Sequence, residues 1–170
     1  MDRKRWRNMP DLATAIRIAA LARTAGGKCE SHQRRIGLKR LMPFERATQK
    51  RRRAVAASRS FDALMKLIEE ARTAGVGELA VYDTAVRVGQ YLGLAPERVY
   101  LHAGTRAGAM ALGLDTSRGV LERDELPAPL RRLSCDEVED FLCIYKDALR
   151  GSVHAWRSRP GCMPARGGVC

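Results

Sequence analysis

Apolar residues recur in this chain at three- and four-residue intervals, in one short run after another, and most of these runs stop at a glycine. That pattern allows helices of two to four turns and little else. Ser60 precedes Phe61, Leu64, Leu67, Ile68 and Ala71, and Ala74-Gly75 closes the run. A second run from Glu78 to Leu92 places Leu79, Tyr82, Ala85 and Val86 on one face and ends at Gly93. Hydrophobic residues are 45% of the 170-residue chain but aromatics only 5%, so Ala, Leu and Arg dominate over the β-branched and aromatic residues that strands prefer. The expected fold class is therefore all-α, a small multi-helix domain with little or no sheet.

The remaining elements follow from caps and breakers. Asp11 is placed to cap a helix carrying Leu12, Ala13, Ile16, Ala19 and Ala20, with a stop at Gly26-Gly27. Residues 38–57 are helix-prone, with Pro43 either starting a new helix or kinking one. Pro96 should open a short helix through Leu101. His102-Ala103-Gly104-Thr105 reads as a turn, and Arg106 begins another short helix, closed by Gly113, whose Ala107, Gly108, Ala109 and Ala111 suit close backbone packing. A charged connection over 115–129 leads to a capping box, Ser134 with Glu137, and a final helix along Val138, Phe141, Leu142, Tyr145, Ala148 and Leu149 to Gly151. The domain expectation is a basic helical arm over 1–59, a compact helical domain over 60–150 and a disordered tail over 151–170.

Charge is distributed very unevenly. Residues 1–59 hold 17 Lys and Arg against 4 Asp and Glu, residues 60–150 hold 11 against 15, and residues 151–170 add 3 arginines, which together give the net +12. Within the basic third the cations cluster as Arg3-Lys4-Arg5 with Arg7, then Arg34-Arg35, Lys39-Arg40 and Lys50-Arg51-Arg52-Arg53. Four such clusters in one third of a chain point to a polyanion, and each can meet phosphates. A membrane surface fits less well, because no bulky apolar face accompanies the clusters. Trp6 stands out as a ring that can stack on a base or sit at a lipid interface.

Several classes are set aside on the sequence. No apolar stretch approaches the roughly 18 to 20 residues that cross a bilayer. Arg17 interrupts the apolar segment behind the charged N-terminus, so secretion is not expected. Cys29, Cys135, Cys143, Cys162 and Cys170 form no C-x-x-C pair, and they suit a reducing, cytoplasmic setting. Cys29 and His32 have a ligand-like spacing without a second pair, so neither metal nor cofactor is implied.

Between two of the expected helices lies Ala74-Gly75-Val76-Gly77-Glu78-Leu79-Ala80, a glycine–hydrophobe–glycine turn. Over residues 61–92 this resembles the helix-hairpin-helix motif of DNA-binding proteins. The resemblance implies that Gly75, Val76 and Gly77 let backbone amides approach a phosphate, at the helix end where the dipole is positive. Glu78 stands where the family often has Pro, Lys or Arg, and Val81 where it usually has a small Ala. The same glycines equally serve a tight connection between antiparallel helices. The catalytic residues of the glycosylases that share the motif have no match here.

Residues 75–146 also resemble uncharacterised bacterial proteins, through Val-Tyr-Asp-Thr-Ala at 81–85, the segment from Val99 to Arg106, and Glu139 to Lys146. That resemblance implies a helical fold without an activity, and it singles out Tyr82, Asp83, His102, Thr105, Arg106 and Asp140. If these converge, His102 is a candidate base, Asp83 or Asp140 its orienting group, and Arg106 an anion ligand. The bland alternatives are a His102 satisfied by a neighbouring carboxylate, an Asp83 paired with Arg87 along its helix, and a Cys143 explained by packing.

Three functional expectations result. The first is nucleic-acid binding, DNA ahead of RNA, through the phosphate backbone with little sequence preference. Its contacts would be Arg34, Arg35, Lys39, Arg40, Lys50, Arg51, Arg52 and Arg53 with the glycine turn. The second is a small enzyme acting on a phosphorylated or nucleotide substrate through His102, Arg106 and Asp83. The third is a protein-interaction module whose basic segment meets an acidic partner.

Overall fold

The glycine-punctuated runs fold as nine α-helices and one two-stranded sheet among the residues described by the computed structural model, 3–30 and 33–157. They form two units, Met1–Glu97 and Arg98–Cys170.

In the first unit α1 (Arg3–Arg7), α2 (Leu12–Ala20), α3 (Leu38–Lys50), α4 (Arg52–Ala56), α5 (Phe61–Glu70) and α6 (Glu78–Leu92) follow in order. Helix α6 is the centre. Every residue from Ala80 to Gln90 is buried, because α1, α2 and α5 all pack on it. A helix enclosed on all sides is held by apolar contact around its circumference rather than along one stripe. Phe61 of α5 meets Tyr82 of α6 edge to face at 6.3 Å, and Gly89 admits Phe61 and Leu64, since a Cβ there would lie 3.3 Å from the Phe61 ring. Ile16, Leu41, Phe44, Val55, Leu64 and Ile68 complete this core. Local signals set the helix ends as the caps predict: Asp11 accepts from the Thr14 amide, Ser60 from the Ala63 amide, and Gly93 closes α6 in the left-handed conformation.

The basic N-terminal segment is thus no separate arm. Its helices carry Ile16, Leu41, Phe44 and Val55 into the same unit as α5 and α6, so the first boundary falls after Glu97 where the sequence placed it at 59. Trp6, expected as an exposed ring, is buried with Arg5 over its face at 5.0 Å. Helix α2 stops at Ala20, short of Gly26-Gly27. The chain turns at Ala22, a non-glycine residue at φ +51°, and Arg23 pairs with Cys29 across the Gly27 turn. Pro43 lies inside α3 and neither starts nor ends it, whereas the break comes at Arg51. His32 lies outside the described residues.

The second unit holds β1 (Val99–Tyr100), α7 (Ala103–Ala111), β2 (Val120–Leu121), single 3-10 turns at Arg123–Glu125 and Leu130–Arg132, α8 (Cys135–Ile144) and α9 (Lys146–Arg157). Strands β1 and β2 are antiparallel, with Val99 opposite Leu121 and Tyr100 opposite Val120. The helix expected from Pro96 through Leu101 is therefore a strand, and the 115–129 connection supplies its partner. Val99, Leu101, Leu121, Leu126, Val138 and Leu142 lie in one buried cluster. The expected turn at 102–105 is instead the cap and first turn of α7.

Close packing of α7 on α8 rests on glycine. A Cβ at 108 would stand 2.1 Å from the Leu142 carbonyl oxygen, and one at 104 would stand 2.6 Å from the Cys143 sulfur. Only glycine allows that approach. The Ser134–Glu137 capping box starts α8 as expected. The single final helix, however, is broken at Tyr145 into α8 and α9, and α9 continues past Gly151 through Arg157. Of the expected disordered tail, residues 158–170 lie outside the described residues. No helix among the described residues is long and apolar enough to cross a membrane.

Candidate nucleic-acid interface

The first unit carries 20 Lys and Arg against 10 Asp and Glu, and α3, α4 and the turn before them hold their cations outward. Arg34 and Arg35 occupy that turn, Lys39 and Arg40 the first turn of α3, Lys50 its last, and Arg51, Arg52 and Arg53 the junction into α4. All eight are exposed. Arg46, which the sequence reading passed over, joins them. It lies seven residues after Lys39 and four before Lys50, which puts the three on one stripe of α3.

Among the described residues, few of these charges are answered by a carboxylate. Arg51 reaches Glu70 at 3.4 Å, across a half-exposed pair that contributes little. Among the described residues, no carboxylate forms an ion pair with Arg34, Arg35, Lys39, Arg40, Arg46, Lys50, Arg52 or Arg53. An open cleft of about 480 Å³ separates the start of α2 from α4, lined by Asp11, Leu12, Ala13, Arg52, Arg53 and Ala56. Asp11 makes this cleft mixed in charge. The Thr14 backbone amide, and to a smaller degree Arg52, hold its carboxyl below the usual range.

The glycine turn lies against this cationic segment. Gly75 takes φ +81°, Val76 is buried, and a Cβ on Gly75 would fall 2.5 Å from the Arg40 side chain. Arg40 is thus laid across the turn. Helices α3 and α6 both begin at a glycine, Gly37 and Gly77, with no side-chain cap, and α3 has no acid in its first turn. Their leading amides carry the partial positive charge of a helix N-terminus, with two cations added at α3 and one carboxylate, Glu78, at α6. Gly77 faces open space.

The other residues singled out by sequence have partners of their own. Asp83 is buried on α6, where Gln33 donates to it and Arg87 lies at 3.4 Å, the four-residue pairing expected from the sequence. Arg87 also donates to the Ala19 carbonyl at 3.4 Å. Arg106 of the second unit donates to the Thr116 and Leu101 carbonyls at 2.6 and 2.9 Å, so its guanidinium ties a loop to a strand end. His102 caps α7 and is buried against Glu139, with Thr105 at 2.8 Å from both. Glu139 supplies the carboxylate at His102, while its neighbour Asp140 is exposed on α8. Tyr82 is buried among the α5 and α6 contacts.

Glu139 was legible in principle. Cys135, Val138, Glu139 and Leu142 fall at the three- and four-residue intervals of one helix face. Compared with known proteins, the chain matches no family model, no curated protein and no solved structure.

Proposed function

We propose that the first unit binds nucleic acid, duplex DNA first, by contacting the phosphate backbone with little dependence on base sequence. The carrying observation is the row of exposed cations from Arg34 to Arg53, almost none of them paired with a carboxylate among the described residues, together with Arg40 lying over the Gly75 turn. Phosphates supply the charge these side chains lack, and the uncapped amides at Gly37 and Gly77 add donors that read the backbone alone. With Trp6 buried, no exposed aromatic ring lies in this row among the described residues, which favours a duplex.

Replacing Lys39, Arg40, Lys50, Arg52 and Arg53 together by Gln tests the reading on labelled duplex DNA, single-stranded DNA and RNA. All five are exposed, so the fold should persist. A loss of duplex affinity of roughly a hundredfold or more is expected at moderate salt. Affinity equal to that of the parent protein would refute the assignment.

A further inference from the structure

The second unit contains a cluster that the nucleic-acid reading leaves without a role. His102 at the cap of α7 and Glu139 on α8 are both buried and in contact, and Cys143 lies one helical turn beyond Glu139. A nitrogen of His102, a carboxylate oxygen of Glu139 and the Cys143 sulfur all lie within 4.8 Å of one another. Cys143 is in no disulfide and is half-buried.

We propose that His102, Glu139 and Cys143 form a binding site for a divalent transition metal of the zinc class. The donor set decides the class. One imidazole nitrogen, one thiolate and one carboxylate suit a borderline-soft ion with few ligands, whereas calcium and magnesium require a shell of oxygens that this site does not offer. Charge agrees, since a doubly positive ion is balanced by the carboxylate and the thiolate in a buried place where either anion alone is costly.

The scaffold is fixed by the α7–α8 contact. Gly104 brings the turn after His102 against the sulfur, because a Cβ at 104 would stand 2.6 Å from Sγ and 3.6 Å from His102 Cε1. Gly108 locks the same two helices one turn later. Thr105 donates to Glu139 Oε1 at 2.8 Å and so orients the carboxylate from outside the ligand set. On binding, the ion would bond to His102 Nε2, a Glu139 carboxylate oxygen and the Cys143 sulfur; the neutral ring would then hold its single proton on Nδ1, and the thiol proton and any proton held between Nε2 and Oε1 would pass to solvent. Three protein ligands leave a fourth position for water, as in zinc sites that do chemistry.

Cobalt(II) titration of the full, chelator-treated, reduced chain tests the site, because cobalt replaces zinc and reports its ligands. The expected result is one equivalent bound with tetrahedral visible bands and a near-ultraviolet thiolate-to-cobalt charge-transfer band, both removed by zinc. Cys143→Ser should abolish the charge-transfer band, and His102→Ala and Glu139→Gln should each remove stoichiometric binding. Thr105→Val should weaken binding roughly 10- to 100-fold while keeping the spectrum. If a buried variant fails to fold, judged by circular dichroism, Cys143→Ser alone decides, since it alters a half-buried atom. Absence of the charge-transfer band in the parent protein, or its persistence in Cys143→Ser, would overturn the proposal.

Discussion

Both units are built mainly of short α-helices, and they hold them together in different ways. In Met1–Glu97 a central helix is wrapped by large side chains, and the unit's sequence holds 20 cations against 10 acids. In Arg98–Cys170 the cations number 11 against 9 acids, helices α7 and α8 meet backbone to backbone at Gly108, and a His–Glu–Thr trio is buried at their contact. The first arrangement rests on bulky side chains and leaves most of its cations exposed, its buried ion pair being Asp83–Arg87. The second brings two helix backbones together, and it depends on the absence of a Cβ at Gly104 and Gly108.

The contrast is open to direct attack. Leu64→Ala removes a fully buried side chain from the wrapping of α6 and should cost about 3 kcal/mol, seen as faster amide exchange in α5 and α6. Cost under 1 kcal/mol would show that large side chains do not hold this unit. Gly108→Ala adds a methyl against the Leu142 carbonyl, a backbone group that cannot swing aside, and should cost about 2 kcal/mol by denaturant unfolding. Unchanged stability would mean that α7 and α8 are not in backbone contact. The smallest effect belongs to Gly77→Asp. The new carboxylate has open space and caps α6, so stability should rise by a few tenths of a kcal/mol, while duplex DNA affinity should fall roughly fivefold as the acid competes with phosphate for the amides. Weaker folding together with unchanged binding would reverse both halves of that expectation.

What the chain discloses in advance divides along the range of the interactions. Asp11, Ser60, Gly93 and the Ser134–Glu137 box act within four residues, and each sits where its spacing indicates. The Asp83–Arg87 pair and the small face of α7 are local in the same sense. The four residues of β1 and β2 are paired across about twenty positions, and nothing in a two-residue strand distinguishes it from a helix start after Pro96. Trp6 behaves likewise: its burial depends on elements packed far along the chain. Helix α2 ends six residues before its glycines, because the Arg23–Cys29 pairing takes over the backbone hydrogen bonds that a longer helix would use.

At the two candidate sites the same rule applies. The cationic clusters are visible as composition, but the scarcity of ion pairs along the row from Arg34 to Arg53 among the described residues and the placement of Arg40 on Gly75 are tertiary facts. At His102 the resemblance singles out Asp140, whereas the helical periodicity of α8 places its neighbour Glu139 on the inward face.

Salt dependence of duplex DNA affinity measures the central claim most directly, because it counts the phosphates that displace counterions. With about five contacts from the row between Arg34 and Arg53, log K should fall linearly with log salt concentration at a slope of about −4.5. An affinity that stays flat across the series would contradict the account.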